Sequence, residues 1–540
     1  MDDSMTSRFQ SKAGGRDEHA RLLSPRWSRA RSGDAAVGWL AALAAVTLIV
    51  CILVGGRLWR IGIPGQWTWP YYADPAPWSG VSPAIVLALM LCVVLAVCLK
   101  TGLRTARREA VGLAAVLVLS FGITLNVGNA GPAGSMESLP RTVIPWIGGY
   151  YTDALNIRDV GDYLANYEER ISGLTVDDPS GMGHLSDHPP GPVLFHYAVN
   201  RSMEALPRVA RRFLPRDVRA RAETHAFAEG VARRDLSEGQ VAGIWAAAFL
   251  YRAAVTLSLV FVYLIGRELH SPETGLLAAG LAMTIPAVHL FGPYPDQLFP
   301  LLATGAFYAW LRALRAKRAG WAAAAGVVLC LGMFMTLAFV AVVALIGAAS
   351  LLRLWAEAAG GEKPPERKAW LRIALGGLGG FLVASLLPMA FFDYDVYGVW
   401  RLCLSRHGTF AARFPRSYMA WTLFNPVEYA LFAGIVVSAL MVWQAVRDGC
   451  RWWSNRRNAA PSLLPWTLIA VLLALNLSGK NPGEVGRLWM FMMPLGAVSA
   501  GEVLQAVDRG RGWVAAVVTA LAAVQLVVFR LSLDVLTLAP

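Results

Sequence analysis

Residues 150–170, YYTDALNIRDVGDYLANYEER, place three carboxylates, Asp153, Asp159 and Asp162, in one short polar stretch. On a helix Asp159 and Asp162, three apart, share a face that Asp153 does not. A carboxylate held near a hydroxyl can take its proton during attack. Simpler explanations exist: Asp153 suits a helix cap, and a solvated helix face accounts for the other two. A further acid, Asp296, stands between two prolines in FGPYPDQLFPLL, residues 291–302, and runs at once into an apolar block. An acid at a bilayer boundary is costly unless solvated, capping or bound, and capping of a helix that begins near Gln297 competes with a functional use. The cations lie further on. NLSGKNPGEVGRLWMFMMPLG, residues 476–496, carries Lys480, Glu484 and Arg487, and LSRHGTF adds Arg406 and His407. Arg487 is placed to hold an anion, although pairing with Glu484 or snorkelling explains it too. Arg252 interrupts the apolar run AFLYRAAVTL, where burial without an anion or water carries a heavy cost. Finally, SDHPPGPVLFHYAVN, residues 186–200, sets His188 before two prolines. Each ring fixes φ, and Pro190 drives Pro189 toward extended backbone, so the stretch is a stiff bracket for His188 and the run after it.

These groups need a frame, and the composition specifies one. Of 540 residues, 56% are hydrophobic and only 16% charged, too few charges to coat the surfaces of several soluble domains. The apolar residues come in blocks long enough to cross a hydrocarbon core of about 30 Å as helix. The expected fold is an all-α polytopic transmembrane helical bundle of about 11–13 spans, with external helices lying along the membrane. The blocks fall near 36–56, 83–99, 110–128, 241–265, 274–291, 297–314, 321–335, 337–353, 371–392, 426–446, 462–477, 487–507 and 512–530. Residues 1–35 read as a basic cytoplasmic tail, 36–530 as the membrane domain, and 531–540 as a short C-terminal tail. Two helix-like pieces, near 153–171 and 191–213, belong to the longest loop, 129–240.

Sidedness follows from the short basic loops. KTGLRTARRE, LRALRAKRAG, the 353–372 loop and RDGCRWWSNRRN resist translocation and fall together on the cytoplasmic side. Loops 57–82, 129–240, 292–296, 393–425 and 478–486 then lie outside, and with them every acid and base singled out above except Arg252. The net charge of +13 is thereby spent on membrane orientation, and a nucleic-acid partner is not expected. The six cysteines show no CxxC spacing and read as small apolar packing residues. Walker A, HExxH and GxSxG patterns are absent from any workable setting.

Many spans, an acid in the first large external loop and a later proline bracket resemble the GT-C superfamily of glycosyltransferases. The likeness is to the branch containing protein O-mannosyltransferases and the lipid A aminoarabinose transferase. There the bracket commonly reads KPPL; here it is His188-Pro189-Pro190-Gly191. PYPDQLFPLLATGAFYAWLR is similar to the family's second external acid, and EVGRLWMFMMPL to its late Arg-aromatic-Pro stretch. DALNIRDVGDYL also resembles loosely the DPxxNYRxTxYL pattern of oligosaccharyltransferase catalytic subunits, which favours Asp153, whereas distance to the bracket favours Asp159 nearly as well.

The resemblance implies a hexosyl- or pentosyltransferase in the plasma membrane, its active site outside, and the Ala, Arg, Gly and Val richness of the chain points to a bacterial source. Sugar would pass from a polyprenyl-phosphate carrier to a glycan, lipid or protein acceptor, with membrane lipids around the enzyme. Asp153, Asp159 and Asp162 are then the candidates for general base. His188, Asp296, Arg406, Lys480, Glu484 and Arg487 are candidates for holding substrate or lipid phosphate, and a divalent cation such as Mg or Mn is compatible with Asp296. Two rivals stand beside this reading. A transporter or lipid flippase predicts charges deep in several spans or paired broken helices, of which Arg252 is the sole sign. A noncatalytic scaffold leaves the clustered external acids unexplained.

Overall fold

The computed structural model describes residues 32–74, 76–132, 134–144, 149–174, 182–359, 366–413, 416–454 and 463–535. The basic tail 1–31, residues 175–181, the KPP of the 353–372 loop and the final five residues therefore lie outside the described residues, as does the His407 side chain. Two compact units are distinguished, up to Ala45 and from Val46 onward. The first contributes only the start of α1, Ser32–Gly55.

Helices dominate the second unit, as the apolar blocks require. A small antiparallel pair, β1 Gly62–Ile63 and β2 Trp67–Thr68, in register Gly62 with Thr68, precedes α2 Trp78–Thr101 and α3 Ala106–Gly128. The long loop that follows holds short helices: α4 Ser138–Val143, α5 Tyr150–Ala154, α6 Val160–Ala165, α7 Tyr167–Ser172, α8 Gly191–Ala205, α9 Pro207–Phe213 and α10 Val218–Ala232. The single helix expected near 153–171 is thus three. Asp159 sits at φ −129° and accepts the Asp162 amide, so its side chain starts α6 afresh and does not continue α5.

At the centre of the bundle lies α11, Glu238–Leu269, started by a reciprocal Ser237–Gln240 capping box. Around it run α12 Pro272–Met283, α13 Pro286–Leu290, α14 Phe299–Ala316, α15 Ala319–Met335, α16 Val340–Ala359 and α17 Arg367–Phe392. The remainder comprises α18 Val396–Arg413, α19 Tyr418–Ala433, α20 Ile435–Ser454, α21 Leu463–Leu477, α22 Val485–Leu488, α23 Met493–Asp508 and α24 Trp513–Ser532. Among the described residues eight helices are long and apolar enough to span, or nine with the bent pair α19–α20.

The bundle is the expected all-α membrane fold, with fewer full spans than the apolar blocks promised. The block at 274–291 breaks at Pro286, leaving α12 only 12 residues long. A 12-residue helix reaches roughly 18 Å, short of the hydrocarbon thickness. The block at 426–446 is broken by a 114° bend at Gly434, whose φ is +90°. Gln525 of α24 satisfies the opened backbone there, accepting from the Ile435 amide and donating to the Leu431 carbonyl, both at 2.9 Å. The stretch 321–353 is two helices, α15 and α16.

Loops expected on one side meet at one end of the bundle. Gln66 accepts from the Ser417 amide and the Trp421 indole, and Arg416 reaches Pro482 and Glu484. Arg406 donates to the Ser172 and Leu174 carbonyls, and Arg487 meets Asp296.

Candidate active site

Asp296 and Arg487 are brought together from 191 residues apart, Nε to Oδ2 at 2.7 Å, with both side chains largely buried. Asp296 does not cap its helix. The 3₁₀ turn Pro295–Leu298 that feeds α14 is preceded by Tyr294 and has no side-chain cap. Arg487 also lies over the Tyr294 ring, 4.8 Å from its centroid. Tyr150 packs against Tyr294 at 6.0 Å and, on its other side, edge-on to His188 at 5.8 Å. Burial pushes the Tyr294 phenol up to about 12, and burial with the nearby Tyr294 and Asp296 pushes Tyr150 well up. Both phenols are therefore neutral donors at physiological pH.

The proline bracket joins this cluster through backbone. Tyr167 Oη donates to the His188 carbonyl at 2.9 Å, and His188 Nε2 stands 3.6 Å from Asp187. The glycine that replaces leucine in the bracket has a steric reason. A Cβ on Gly191 would sit 2.4 Å from the Phe334 carbonyl oxygen, so α8 starts flush against the end of α15.

Asp153 lies on the other side of Tyr167. It is almost fully buried, receives the Tyr163 hydroxyl on Oδ2 at 2.7 Å, and is ion-paired with Arg170. It caps nothing: Gly149 precedes α5 instead. The capping task belongs to Asp159, while Asp162, at the surface, accepts from the Asn166 amide. Of the three first-loop acids, Asp153 alone is inside. Tyr163, Tyr167 and Tyr394 form a continuous aromatic run from it toward the bracket.

The remaining sequence candidates are placed differently. Glu484 does not pair with Arg487; it is bound by Arg416 at 2.8 Å. Arg406 is committed to two carbonyls of the α7 exit, and Lys480 is exposed in the α21–α22 loop. Arg252 is reached by neutral oxygens, Asn129 Oδ1 at 3.2 Å and Ser138 Oγ at 3.0 Å. For a divalent cation the fit is poor: no group of three or more His, Cys, Asp or Glu side chains converges among the described residues, and Asp296 already faces a guanidinium.

Two groups escaped the sequence reading. Glu428, hidden in the apolar run FNPVEYALF, is fully buried and accepts on Oε1 from the Gly486 amide and the Trp69 indole, both at 3.1 Å. Asn425, one turn earlier, donates to the Asn481 carbonyl at 2.9 Å and accepts from the Gly483 amide at 3.1 Å. Together with Arg416 they fasten the loop that carries Arg487. The visible signal was an acid and an amide inside a block otherwise fit to span, which costs too much without a bound partner. Arg141, buried, likewise clamps the Leu290 and Gly292 carbonyls just before Tyr294.

Residues 240–383 match the family described as dolichyl-phosphate-mannose-protein mannosyltransferase. The matched segment covers 144 of the 540 residues, runs from α11 into α17 and includes Arg252 and Asp296. A crystal structure of the Archaeoglobus fulgidus oligosaccharyltransferase, in complex with Zn and sulfate, is similar over 77% of this chain and 52% of its own. The identity is 15% and the TM-score 0.39, and this chain spans about half that protein's length. No curated protein matches the chain.

Proposed function

We propose that this protein is a membrane glycosyltransferase of the GT-C superfamily, which moves a sugar from a polyprenyl-phosphate donor to an acceptor hydroxyl on the outer face of the plasma membrane. One observation carries the reading: a buried arginine, Arg487, is held by Asp296 and Tyr294 at the same end of the bundle as the one buried first-loop acid, Asp153. In the reaction the acceptor oxygen bonds to the anomeric carbon as the bond from that carbon to the phosphate oxygen breaks, its electron pair leaving with the lipid phosphate. The acceptor proton passes to the Asp153 carboxylate.

Asp153 suits that task because its oxygens are held in place with acceptor positions to spare. Arg170 pairs with one oxygen and Tyr163 donates to the other, while a carboxylate offers about four acceptor positions in all. Arg170 is 38% exposed against 2% for Asp153, so it is the group that yields when an acceptor enters. Arg487 takes the growing phosphate charge, with its orientation fixed by Asp296 and its ring contact to Tyr294. Tyr150 and Tyr294, neutral and buried, donate without competing for a proton. His188 and the bracket set the wall between the two acids, and Asp159 and Asp162 remain structural. Lys480 and Arg406 are peripheral to the chemistry.

The test is transfer from a labelled polyprenyl-phosphate sugar by the purified protein in lipid. D153N is expected to bind donor and lose transfer by about 10²–10⁴-fold, the range of a positioned base. Full transfer by D153N together with loss in D159N would overturn the assignment.

A further inference from the structure

We propose that the turn between α14 and α15, together with the first turns of α17, binds the phosphate headgroup of an anionic phospholipid. The place is remote from the site above. Asp296 stands just before α14 and Lys317 just after its 18 residues, so the two are roughly 27 Å apart along the helix. That separation is close to a bilayer's hydrocarbon thickness, which puts the turn at the opposite membrane surface.

A cavity of about 730 Å³ opens there, with Lys317, Arg318, Trp321 and Arg372 on its walls. Lys317 is neutralised by Glu366 at 2.7 Å. Arg318 and Arg372 have no carboxylate within ion-pair distance among the described residues, which leaves two positive charges facing one hollow. Trp321 is partly exposed and Arg312 lies over its ring, an arrangement that suits the level of lipid headgroups.

Below the cavity the surface is built for acyl chains. Leu371, Leu375, Leu378 and Leu382 form one exposed stripe on α17, at the spacing of a single helix face. Trp321, Val327 and Leu331 form another on α15. The seam between the two helices is closed. A Cβ on Gly326 would lie 2.1 Å from the Gly377 carbonyl oxygen, and one on Gly380 would lie 2.1 Å from that of Ala323. Chains therefore cannot enter between the helices and lie along the stripes outside, while the headgroup fills the charged hollow above. A soluble anion would use the two arginines but gain nothing from the stripes, so a phospholipid is the occupant that uses both features.

The experiment is native mass spectrometry of the full-length protein released from micelles holding equal phosphatidylglycerol and phosphatidylcholine. Wild type is expected to retain one phosphatidylglycerol in preference to phosphatidylcholine. The double variant R318Q/R372Q is expected to hold it about thirtyfold more weakly, from two lost surface charges. R104Q, in another basic loop, is expected to retain it fully, and transfer activity is expected to survive in both variants. Equal retention of the two lipids by wild type overturns the proposal without recourse to any variant. So does undiminished phosphatidylglycerol on R318Q/R372Q, and so does displacement by millimolar inorganic phosphate, which would mark a plain anion site.

Discussion

Replacing Arg487 by methionine removes a cation and strands the Asp296 carboxylate in a place it shares with little water. The two side chains are 14% and 15% exposed, so solvent makes good only part of the lost attraction. Breaking one side of a buried pair costs about 3–5 kcal/mol, and the partial exposure points to the lower end, about 3 kcal/mol. D296N strands the guanidinium and is expected to cost a similar amount. The double variant R487M/D296N removes both charges together, and with a coupling of about 2 kcal/mol it should lose about 4 kcal/mol, where the two single losses sum to about 6. Turnover should behave otherwise. If Arg487 receives the phosphate charge in the transition state, its loss costs about 10²–10³ in kcat whether or not Asp296 is neutral. Thermal unfolding of the detergent-solubilised protein reads the first effect, and transfer from labelled donor reads the second. Recovery of turnover in the double variant would refute the argument, because Arg487 would then serve only to neutralise Asp296. Single variants as stable as wild type would refute the burial of the pair.

The other predictions separate positioning from chemistry. D159A removes the cap of α6 and should cost about 1 kcal/mol, with turnover held within roughly threefold; a loss as deep as that of D153N in the transfer assay would make Asp159 the base. E428Q keeps an oxygen for the Gly486 amide and should turn over nearly normally, whereas E428L orphans two buried donors, costs about 1–3 kcal/mol for each, and should lower kcat by loosening Arg487; equal turnover in the two variants would sever Glu428 from that loop. His196 titrates abnormally because burial pulls it from 6.5 down to about 3. The native chain thus binds fewer protons than the unfolded one below pH 6.5, so its contribution is present above that pH and is lost as pH falls toward 3. Unfolding midpoints measured from pH 7 to pH 4 should fall less steeply for H196Q than for wild type, and parallel curves would clear His196 of that role.

What could be read from the sequence divides along a physical line. Apolar blocks report span positions because a bilayer demands length and greasiness, and α2, α3, α11, α17 and α24 fall within a few residues of their blocks. Composition says less about whether a block is straight. Pro286 and the Gly434 bend broke two of them, and the second break became tolerable only through Gln525 from a helix 90 residues away. Side-chain partners were the least legible. Periodicity reports faces within a helix, so it offered Glu484 for Arg487, the near neighbour in sequence, where the fold supplies Asp296.

The same limit explains why the most informative residue was the least conspicuous. Glu428 sits in a run that reads as membrane, with no motif around it, while Asp159 and Asp162 sit in the polar stretch that draws the eye. Yet a carboxylate in an apolar helix must find donors or unfold the helix, whereas a surface carboxylate needs none. Glu428 found the Gly486 amide, one residue before Arg487, and the buried indole of Trp69. Cost of placement therefore ranks these acids better than their local company does. By that measure Asp153, Asp296 and Glu428, the three with buried partners, stand ahead of Asp159 and Asp162, and the more deeply buried of the two arginines paired with them is the one assigned to the phosphate.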